Sequence, residues 1–270
     1  MPKIITLTTD FGLRDPYAGM MKGAVLAVHE SACIIDITHQ IEPQAIDQAS
    51  RIIHSAYACF PAGTVHVVVV DPGVGGHRRA VALESDGHIF LAPDNGVLTG
   101  ILETGGTHNC VSIEEARYFR PRVSRTFHGR DIFAPVAGHV ANGVPLRELG
   151  PPLSVQQLVR LDSPRAVIRN ETEVAGRVTT VDRFGNLITD IKSDLLEEFL
   201  QRRSLDKSSL SIRIGACTVA GVRDCYQDVP AGQLLAIIGS SGYLEIALNR
   251  GNARGYCQAG PGDAVLVSVR

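Results

Sequence analysis

The sequence predicts an α/β N-terminal domain, a mostly parallel sheet covered by helices, followed by a smaller C-terminal β-barrel-like domain. Three observations predict this. Runs of β-branched residues alternate with helix-period stripes through the first half of the chain, the pattern of βαβ units. Four consecutive valines, Val67 to Val70, read as a strand buried on both faces, as strands of parallel sheets are. After Gly150 the composition changes. Pro151-Pro152 and a polar run to Arg169-Asn170-Glu171 read as a linker, and short strands separated by turns follow. The expected domains are 1–160 and 161–270.

Composition agrees with two packed domains. The chain has 270 residues, 44% of them hydrophobic and 20% charged, enough apolar surface for substantial cores. A formal net charge of −2 gives no electrostatic case for nucleic acid or an anionic membrane as partner. MPKIITLTTDFG reads as a short strand rather than a signal peptide, and no apolar run reaches membrane-spanning length. The six cysteines are scattered with no Cys-x-x-Cys. Most have apolar neighbours in sequence, so reduced thiols in a cytoplasmic protein are expected rather than disulfides or zinc.

The elements follow in order. Ile4–Thr8 is a strand, and Asp15-Pro16 then opens a helix, with Asp15 as N-cap and Pro16 in the first turn. Tyr17, Met20, Met21, Ala24, Val25 and Val28 form its buried stripe. Cys33–Ile37 is the second strand. A helix from about Gln44 to Phe60 turns Ile46, Ala49, Ile53 and Tyr57 inward, and His54 on it reads as packing or surface. The valine strand ends in Asp71-Pro72-Gly73, and a glycine-rich turn leads to Arg78 and Arg79. Ala80–Glu84 and His88–Leu91 form a hairpin around Ser85-Asp86-Gly87. The polar loop Pro93-Asp94-Asn95-Gly96 precedes a short helix over Val97–Glu103. The loop Ser124–Asp131 leads into a helix over Ile132–Ala141, which Asp131 is placed to cap. In the second half, strands are expected over Ala175–Val181, Leu187–Asp190, Leu210–Ile214, Thr218–Val222, Leu234–Ile238, Leu244–Leu248 and Ala264–Val269, with one helix over Ser193–Gln201.

Chemistry concentrates in the loops that follow strands. In open α/β sheets ligands bind beyond the carboxyl ends of strands, where Asp10 and Asp71 lie. The flexible loop allows Arg78 to approach the Asp71 carboxylate; a structural ion pair is the plainer explanation of the same residues. His128 precedes a helix N-terminus, a position that disfavours imidazolium. In the second half, Asp182-Arg183-Phe184-Gly185-Asn186 offers a carboxylate, a ring and an amide. Gly239-Ser240-Ser241-Gly242 offers backbone N–H groups to a carboxylate. Each of these loops alone is also ordinary turn chemistry.

Together, TTDFGLRDPYAGMMKG, VVVVDPGVGGHRR, LAPDNG, TFHGRDIFAPVA, VDRFGN and GSSGYLEIALNRGNA resemble the S-adenosyl-L-methionine hydroxide adenosyltransferases, relatives of fluorinase and chlorinase. The six motifs span residues 6 to about 253 in order. The resemblance implies hydrolysis of S-adenosyl-L-methionine to adenosine and methionine, with no metal and no cofactor. It implies a homotrimer whose sites form between one subunit's N-terminal domain and its neighbour's C-terminal domain. It implies Asp71, Arg78 and His128 as the set around the attacking water. Asp10 would take the ribose hydroxyls, with Phe11 beside it. Asp15, Asp182 and Ser240 would hold the methionine ammonium and carboxylate. Asn186 would pair with adenine near Phe184, and Glu245 with the backbone at Asn249 and Arg250 would complete the substrate pocket.

The halogenase branch carries a tyrosine where Asp71 stands and an insertion for which the Arg79–Leu91 connection leaves little room. It also carries a serine at Gly129 and a tryptophan at Gln44. Those departures argue against adenosyl halide synthesis. The substrate's sulfonium already activates the ribose C5′, so alignment and desolvation of a water are what a protein must supply, with alignment worth up to about 7–11 kcal/mol. Asp71 and His128 are expected to orient and deprotonate that water while Arg78 fixes Asp71 or stabilises hydroxide. His128 is the better acceptor if one residue is to be named, since an aspartate paired with arginine is a poor base. Three rivals remain at this point. A dinucleotide enzyme lacks Gly-x-Gly-x-x-Gly after the first strand. A metallohydrolase lacks paired-ligand spacing. A non-catalytic S-adenosylmethionine or adenosine sensor would have no use for a water-activating set.

Overall fold

The computed structural model describes residues 3–104, 108–162 and 165–270. The chain forms two compact units, residues 1–162 and 163–270.

The first unit is built on a seven-stranded sheet. Its elements are β1 (Ile4–Thr9), α1 (Tyr17–Leu26), β2 (Cys33–Thr38), α2 (Ile46–Ala56), β3 (Val65–Val69), β4 (Ala80–Ser85), β5 (His88–Pro93), α3 (Thr99–Leu102), β6 (Asn109–Ser112), α4 (Ala134–Ala141) and β7 (Pro152–Leu153). The strand order is β2-β1-β3-β5-β4-β6-β7. The first four strands in that order are mutually parallel, as expected, and β4, β6 and β7 extend them by antiparallel pairing, which makes the sheet mixed. The cause is the hairpin between β4 and β5, whose turn residues Asp86 and Gly87 both take positive φ (49° and 76°). That turn geometry matches the strand twist.

The valine run divides by parity. Val65, Val67 and Val69 enter one core with Met21 and Val25 of α1 and Val136 and Val140 of α4. Val68 and Val70 enter the opposite core with Ile53 of α2 and Ile101 of α3. The strand period of two thus puts helices on both faces. Between β1 and β3 the chain reverses direction across the sheet, toward β2 on one side and β5 on the other. This is the topological switch point at which open α/β sheets open a crevice.

Several local expectations are corrected. Asp15 does not cap α1: Pro16 occupies the N-cap position and no side chain bonds the first turn. Tyr17 and Met20 lie on the exposed side of α1, which buries Ala18, Met21, Ala24 and Val25. α2 is shorter than expected and ends in a 3₁₀ turn over Tyr57–Cys59. Asp131 caps nothing, because the chain enters α4 through a π-helical turn over Gly129–Phe133 that contains it. Part of the expected linker is strand: β7 pairs with β6, and β8 (Val167–Ile168) belongs to the second sheet. Residues 163 and 164, also assigned to that linker, lie outside the described residues. All six cysteines are free, but Cys33, Cys59 and Cys225 are exposed rather than packed in apolar surroundings.

The second unit continues with β9 (Glu173–Val181), β10 (Leu187–Lys192), α5 (Ser193–Gln201), β11 (Leu210–Ile214), β12 (Cys217–Ala220), β13 (Val222–Arg223), β14 (Leu234–Ile238), β15 (Tyr243–Leu248), α6 (Ala253–Cys257) and β16 (Ala264–Val269). They join in the order β12-β11-β16-β9-β10-β15-β14-β13, with β8 beside β9, and the sheet curls into a nearly closed barrel. Alternation along β11 turns Leu210, Ile212 and Ile214 into its core with Phe199 of α5. α6 was not expected from sequence. Asn252 caps it, accepting Gly255 N–H, and Gln258 ends it in the left-handed region.

Candidate active site

In the first unit, the loops that leave β1 and β3 meet the loop before α4. Asp71 and Arg78 close on each other across the glycine turn. Arg78 Nε donates to both carboxylate oxygens, at 3.1 Å and 2.9 Å, and Nη2 also donates to Oδ2. Both side chains are largely enclosed, with 4% and 11% of their surface exposed. The same Nη2 reaches His128 Nδ1 at 2.8 Å. The structure therefore brings together the three residues singled out from the sequence.

Chemistry fixes the histidine's tautomer. A guanidinium only donates, so Nδ1 is an acceptor in this contact and the neutral ring carries its proton on Nε2. Burial first, and then the Arg78 charge, push the His128 pKa below its ordinary 6.5; Asp71 and Asp131 pull the other way. His128 is thus a neutral Nε2–H donor in this arrangement. Its Nδ1 can take a proton only after releasing Arg78.

The two loops touch where a side chain has no room. Gly75, at φ +75°, lies against the carbonyl of Arg125, and a Cβ there would overlap it. Beside His128, Gly129 faces the Phe11 ring and Met21 Sδ, which a Cβ would meet at 3.3 Å and 3.2 Å. Phe11, Tyr17 and Phe127 pack edge to face, with centroids 5.3–5.9 Å apart.

Asp10 stands at the end of β1. Its Oδ2 accepts the Gln44 N–H at 2.9 Å, and Gln44 takes a left-handed φ of 66° to deliver it. Strain of this kind in a non-glycine residue is characteristic of functional loops. Among the described residues the other oxygen has no hydrogen-bond partner, which suits a hydroxyl pair. Behind Asp10, Thr9 Oγ1 lies 2.8 Å from Nδ1 of the buried His39, and the His39 carbonyl accepts Gly12 N–H at 2.7 Å. The sequence reading missed both supports, Gln44 and His39. Asp15 is exposed, and its side chain makes no capping bond to α1.

In the second unit, Asp182 is used to close its own loop. Oδ1 accepts the N–H groups of Phe184 (2.9 Å) and Asn186 (2.8 Å), and Oδ2 accepts Asn186 Nδ2 at 2.8 Å. A carboxylate only accepts, so the buried Asn186 turns its amide nitrogen to Asp182 and leaves Oδ1 free for an amine donor. The Asn186 amide nitrogen also lies 3.3 Å from the Tyr226 hydroxyl, a neighbour absent from the sequence reading. Phe184 is 75% exposed, an open ring beside that amide. Glu245 is buried, and burial first, then Asp182, raise its pKa. Ser240 is exposed at the tip of the β14–β15 turn. Asn249 is committed internally. Its Nδ2 donates to the Val229 carbonyl and its backbone pairs with Gln233 and Gly232, so among the described residues Arg250 is the one of that pair whose backbone makes no such bond.

Among the described residues, no cluster of three or more His, Cys, Asp or Glu side chains is placed to hold a metal ion. No helix among them is long and apolar enough to cross a membrane.

Known proteins share this architecture. A family model described as the SAM hydroxide adenosyltransferase N-terminal domain matches residues 5–150, and its C-terminal counterpart matches residues 176–266. An (R)-S-adenosyl-L-methionine hydrolase of Salinispora arenicola is 36% identical over 98% of this chain and 97% of its own. A fluorinase of Actinopolyspora mzabensis is 29% identical over 72% of this chain and 73% of its own. A crystal structure of an uncharacterized conserved protein from Thermotoga maritima superimposes with a TM-score of 0.90 at 39% identity, covering 98% of this chain and 99% of that one. With a family match over both halves of the chain and a relative above one-third identity along nearly all of it, this protein belongs to the S-adenosyl-L-methionine hydroxide adenosyltransferase family.

Proposed function

We propose that this protein hydrolyses S-adenosyl-L-methionine to adenosine and L-methionine by attack of water on the ribose C5′, and that its substrate is the (R) sulfonium epimer named for its relatives. The observation that carries the proposal is the Asp71–Arg78–His128 constellation at the carboxyl end of β3, in which one guanidinium contacts both the carboxylate and the imidazole. A sulfonium leaves as a neutral thioether, so the reaction needs neither metal nor covalent intermediate. The water accepts a hydrogen bond from His128 Nε2–H and donates one to Asp71. As its oxygen bonds to C5′ and the C5′–S bond breaks, the water becomes strongly acidic. Its proton passes to Asp71 and on to solvent. A weak base suffices, because the proton leaves only as the C–O bond forms. Arg78 holds both partners and keeps His128 in the donor tautomer.

Asp10 takes the ribose hydroxyls through its free oxygen, and Phe11 packs beside them. Asn186 Oδ1 accepts the adenine amine and Phe184 stacks on the ring. Ser240 with Asp15 and Asp182 holds the amino-acid head, and Glu245 and Arg250 complete the pocket. The family resemblance further supports a cytoplasmic homotrimer, each site drawing on the first unit of one subunit and the second unit of its neighbour. No cofactor takes part.

The test is turnover of separated sulfonium epimers in halide-free oxygen-18 water. Label on the adenosine 5′-oxygen, formed from the (R) epimer, supports water attack. Unlabelled adenosine refutes it, and binding without turnover makes the protein a sensor. Light scattering that returns a mass other than three times 28.9 kDa would remove the trimer.

A further inference from the structure

The catalytic loop carries both Asp71 and Arg78, yet nothing inside it fixes where the pair sits. Apart from the Asp71–Arg78 pair itself, its internal bonds are two backbone turns, Val74 N–H to the Asp71 carbonyl at 3.2 Å and Gly76 N–H to the Gly73 carbonyl at 3.0 Å. Both ends of the loop are instead tied to one neighbouring segment, the turn that follows β5. At the entrance, Asn95 Nδ2 donates to the Val70 carbonyl at 2.9 Å, one residue before Asp71. At the exit, one residue after Arg78, the Arg79 carbonyl accepts Asp94 N–H at 2.9 Å. The Arg79 guanidinium grips Asp94 Oδ2 through Nε (2.9 Å) and Nη2 (2.6 Å).

The anchor is itself immobilised. The Asp94 side chain is 3% exposed, and its second oxygen accepts Val159 N–H at 2.8 Å. Arg79 Nη2 also reaches the Gln157 carbonyl at 2.6 Å. Asn95 Oδ1 accepts Val97 N–H at 3.2 Å, which fixes the orientation of its amide. Among the described residues, none of these side chains bonds the side chain of Asp71, Arg78 or His128.

We infer that Asn95 and the Arg79–Asp94 pair are positioning residues that bracket the Asp71–Arg78 loop and so set the contact between Arg78 and His128. Reactive geometry tolerates little displacement; a misplacement of about 1 Å costs about 10²-fold in rate. Releasing either end of the loop lets Arg78 drift from Nδ1. The consequence is specific, because Arg78 is one of the two causes that hold the His128 pKa down, while Asp71 and Asp131 raise it. A displaced Arg78 therefore leaves His128 easier to protonate. A residue that merely supported the fold would lower stability without moving that titration.

The inference rests on the hydrolase reading for its kinetic arm only. Asn95→Ala and Arg79→Lys each leave the net charge unchanged, so neither perturbs His128 through a new charge. Both would be measured by steady-state kinetics with S-adenosylmethionine and by NMR titration of the His128 imidazole in the full-length protein. The expected result is a kcat lower by about tenfold or more, with KM within about twofold, and a His128 midpoint shifted upward in both variants. A wild-type midpoint in both variants overturns the inference even if kcat falls, and so does a change confined to KM. If the protein does not hydrolyse S-adenosylmethionine, the midpoint still decides the positional claim. Should Asn95→Ala fail to fold, Arg79→Lys, at a side chain 37% exposed, carries the same test.

Discussion

Acidification from pH 7 to pH 5 is expected to cost the first unit about 2 kcal/mol through His66 alone. His66 has no exposed surface. Its Nδ1 lies 2.7 Å from Thr6 Oγ1 and its Nε2 3.2 Å from His88 Nδ1. Burial, and then the neighbouring His88, depress its pKa to about 3, against an ordinary 6.5. The unfolded chain therefore binds more protons throughout that window, and stability falls as pH falls through it. At pH 5 protonation raises the statistical weight of the unfolded imidazole about thirtyfold and leaves the folded one nearly unchanged. This amounts to RT ln 30, about 2 kcal/mol, whereas at pH 7 the same difference is about 0.2 kcal/mol. The assay is urea unfolding at pH 7 and pH 5, followed by far-ultraviolet circular dichroism because the chain has no tryptophan. His66→Gln keeps a polar group in place, sacrifices stability at pH 7, and removes this part of the acid loss. His88, whose pKa is also lowered by burial, remains as a shared background in both proteins. Equal losses between pH 7 and pH 5 in wild type and variant would refute the reasoning.

Four further outcomes follow from the site. His128→Gln sets an amide N–H near the position of Nε2, while His128→Asn replaces only Nδ1; the donor assignment predicts that Gln retains more turnover than Asn, each falling about 10²–10³-fold. Wild-type activity should also drop with acid only below pH 6.5, as neutral His128 is lost, and a pH–rate profile of the three proteins checks both points. Gly75→Ala forces a side chain into left-handed backbone against Arg125; thermal melts and kcat should show about 1–3 kcal/mol of lost stability with impaired turnover. Glu245→Gln should raise the melting temperature at alkaline pH and not at pH 4. The raised pKa means that the folded state prefers the protonated acid and is penalised once it ionises, and a melting series across pH reads the crossover.

The elements were legible where one period persisted. The valine run, the Asp86-Gly87 hairpin and the helix Ser193–Gln201 follow from spacing and turn chemistry, because the forces that decide them are local. The start of α1 was not legible. Asp-Pro is equally good as cap plus first turn or as the approach to a helix, and here the Asp15 carboxylate stays in solvent while Pro16 takes the N-cap place. The stripe on α1 misled for a related reason: Tyr17 is exposed because it packs on Phe11 and Phe127 rather than into the core. Asp71, Arg78 and His128 could be named because their motifs are short and ordered. The approach of Arg78 to Asp71 could also be read from the glycine-rich loop between them, but the contact of Arg78 with His128 could not, since it joins residues fifty apart. Gln44 supporting Asp10 and Asn95 supporting Val70 were invisible for the same reason, being bonds across 34 and 25 positions.

The contrast between two depressed histidines of the first unit, His66 and His128, explains how one fold gives the same ring opposite duties. His66 is neutral because it is sealed in, with both nitrogens engaged inside the core near the amino ends of β3 and β5. Its cost appears only as acid sensitivity. His128 is half-buried, and a cation occupies one nitrogen, so its neutrality is enforced from one side and its other nitrogen is left to work. A guanidinium fixed by a carboxylate is well suited to this, since it cannot deprotonate at neutral pH and donates in a fixed plane. The same contact argues against halide as the partner of this site. The enclosed Asp71 carboxylate would repel an anion and offers a water an acceptor for its proton. In the roles proposed for the two groups, water, with a lone pair for Nε2–H and a hydrogen for Asp71, is the nucleophile that satisfies both at once.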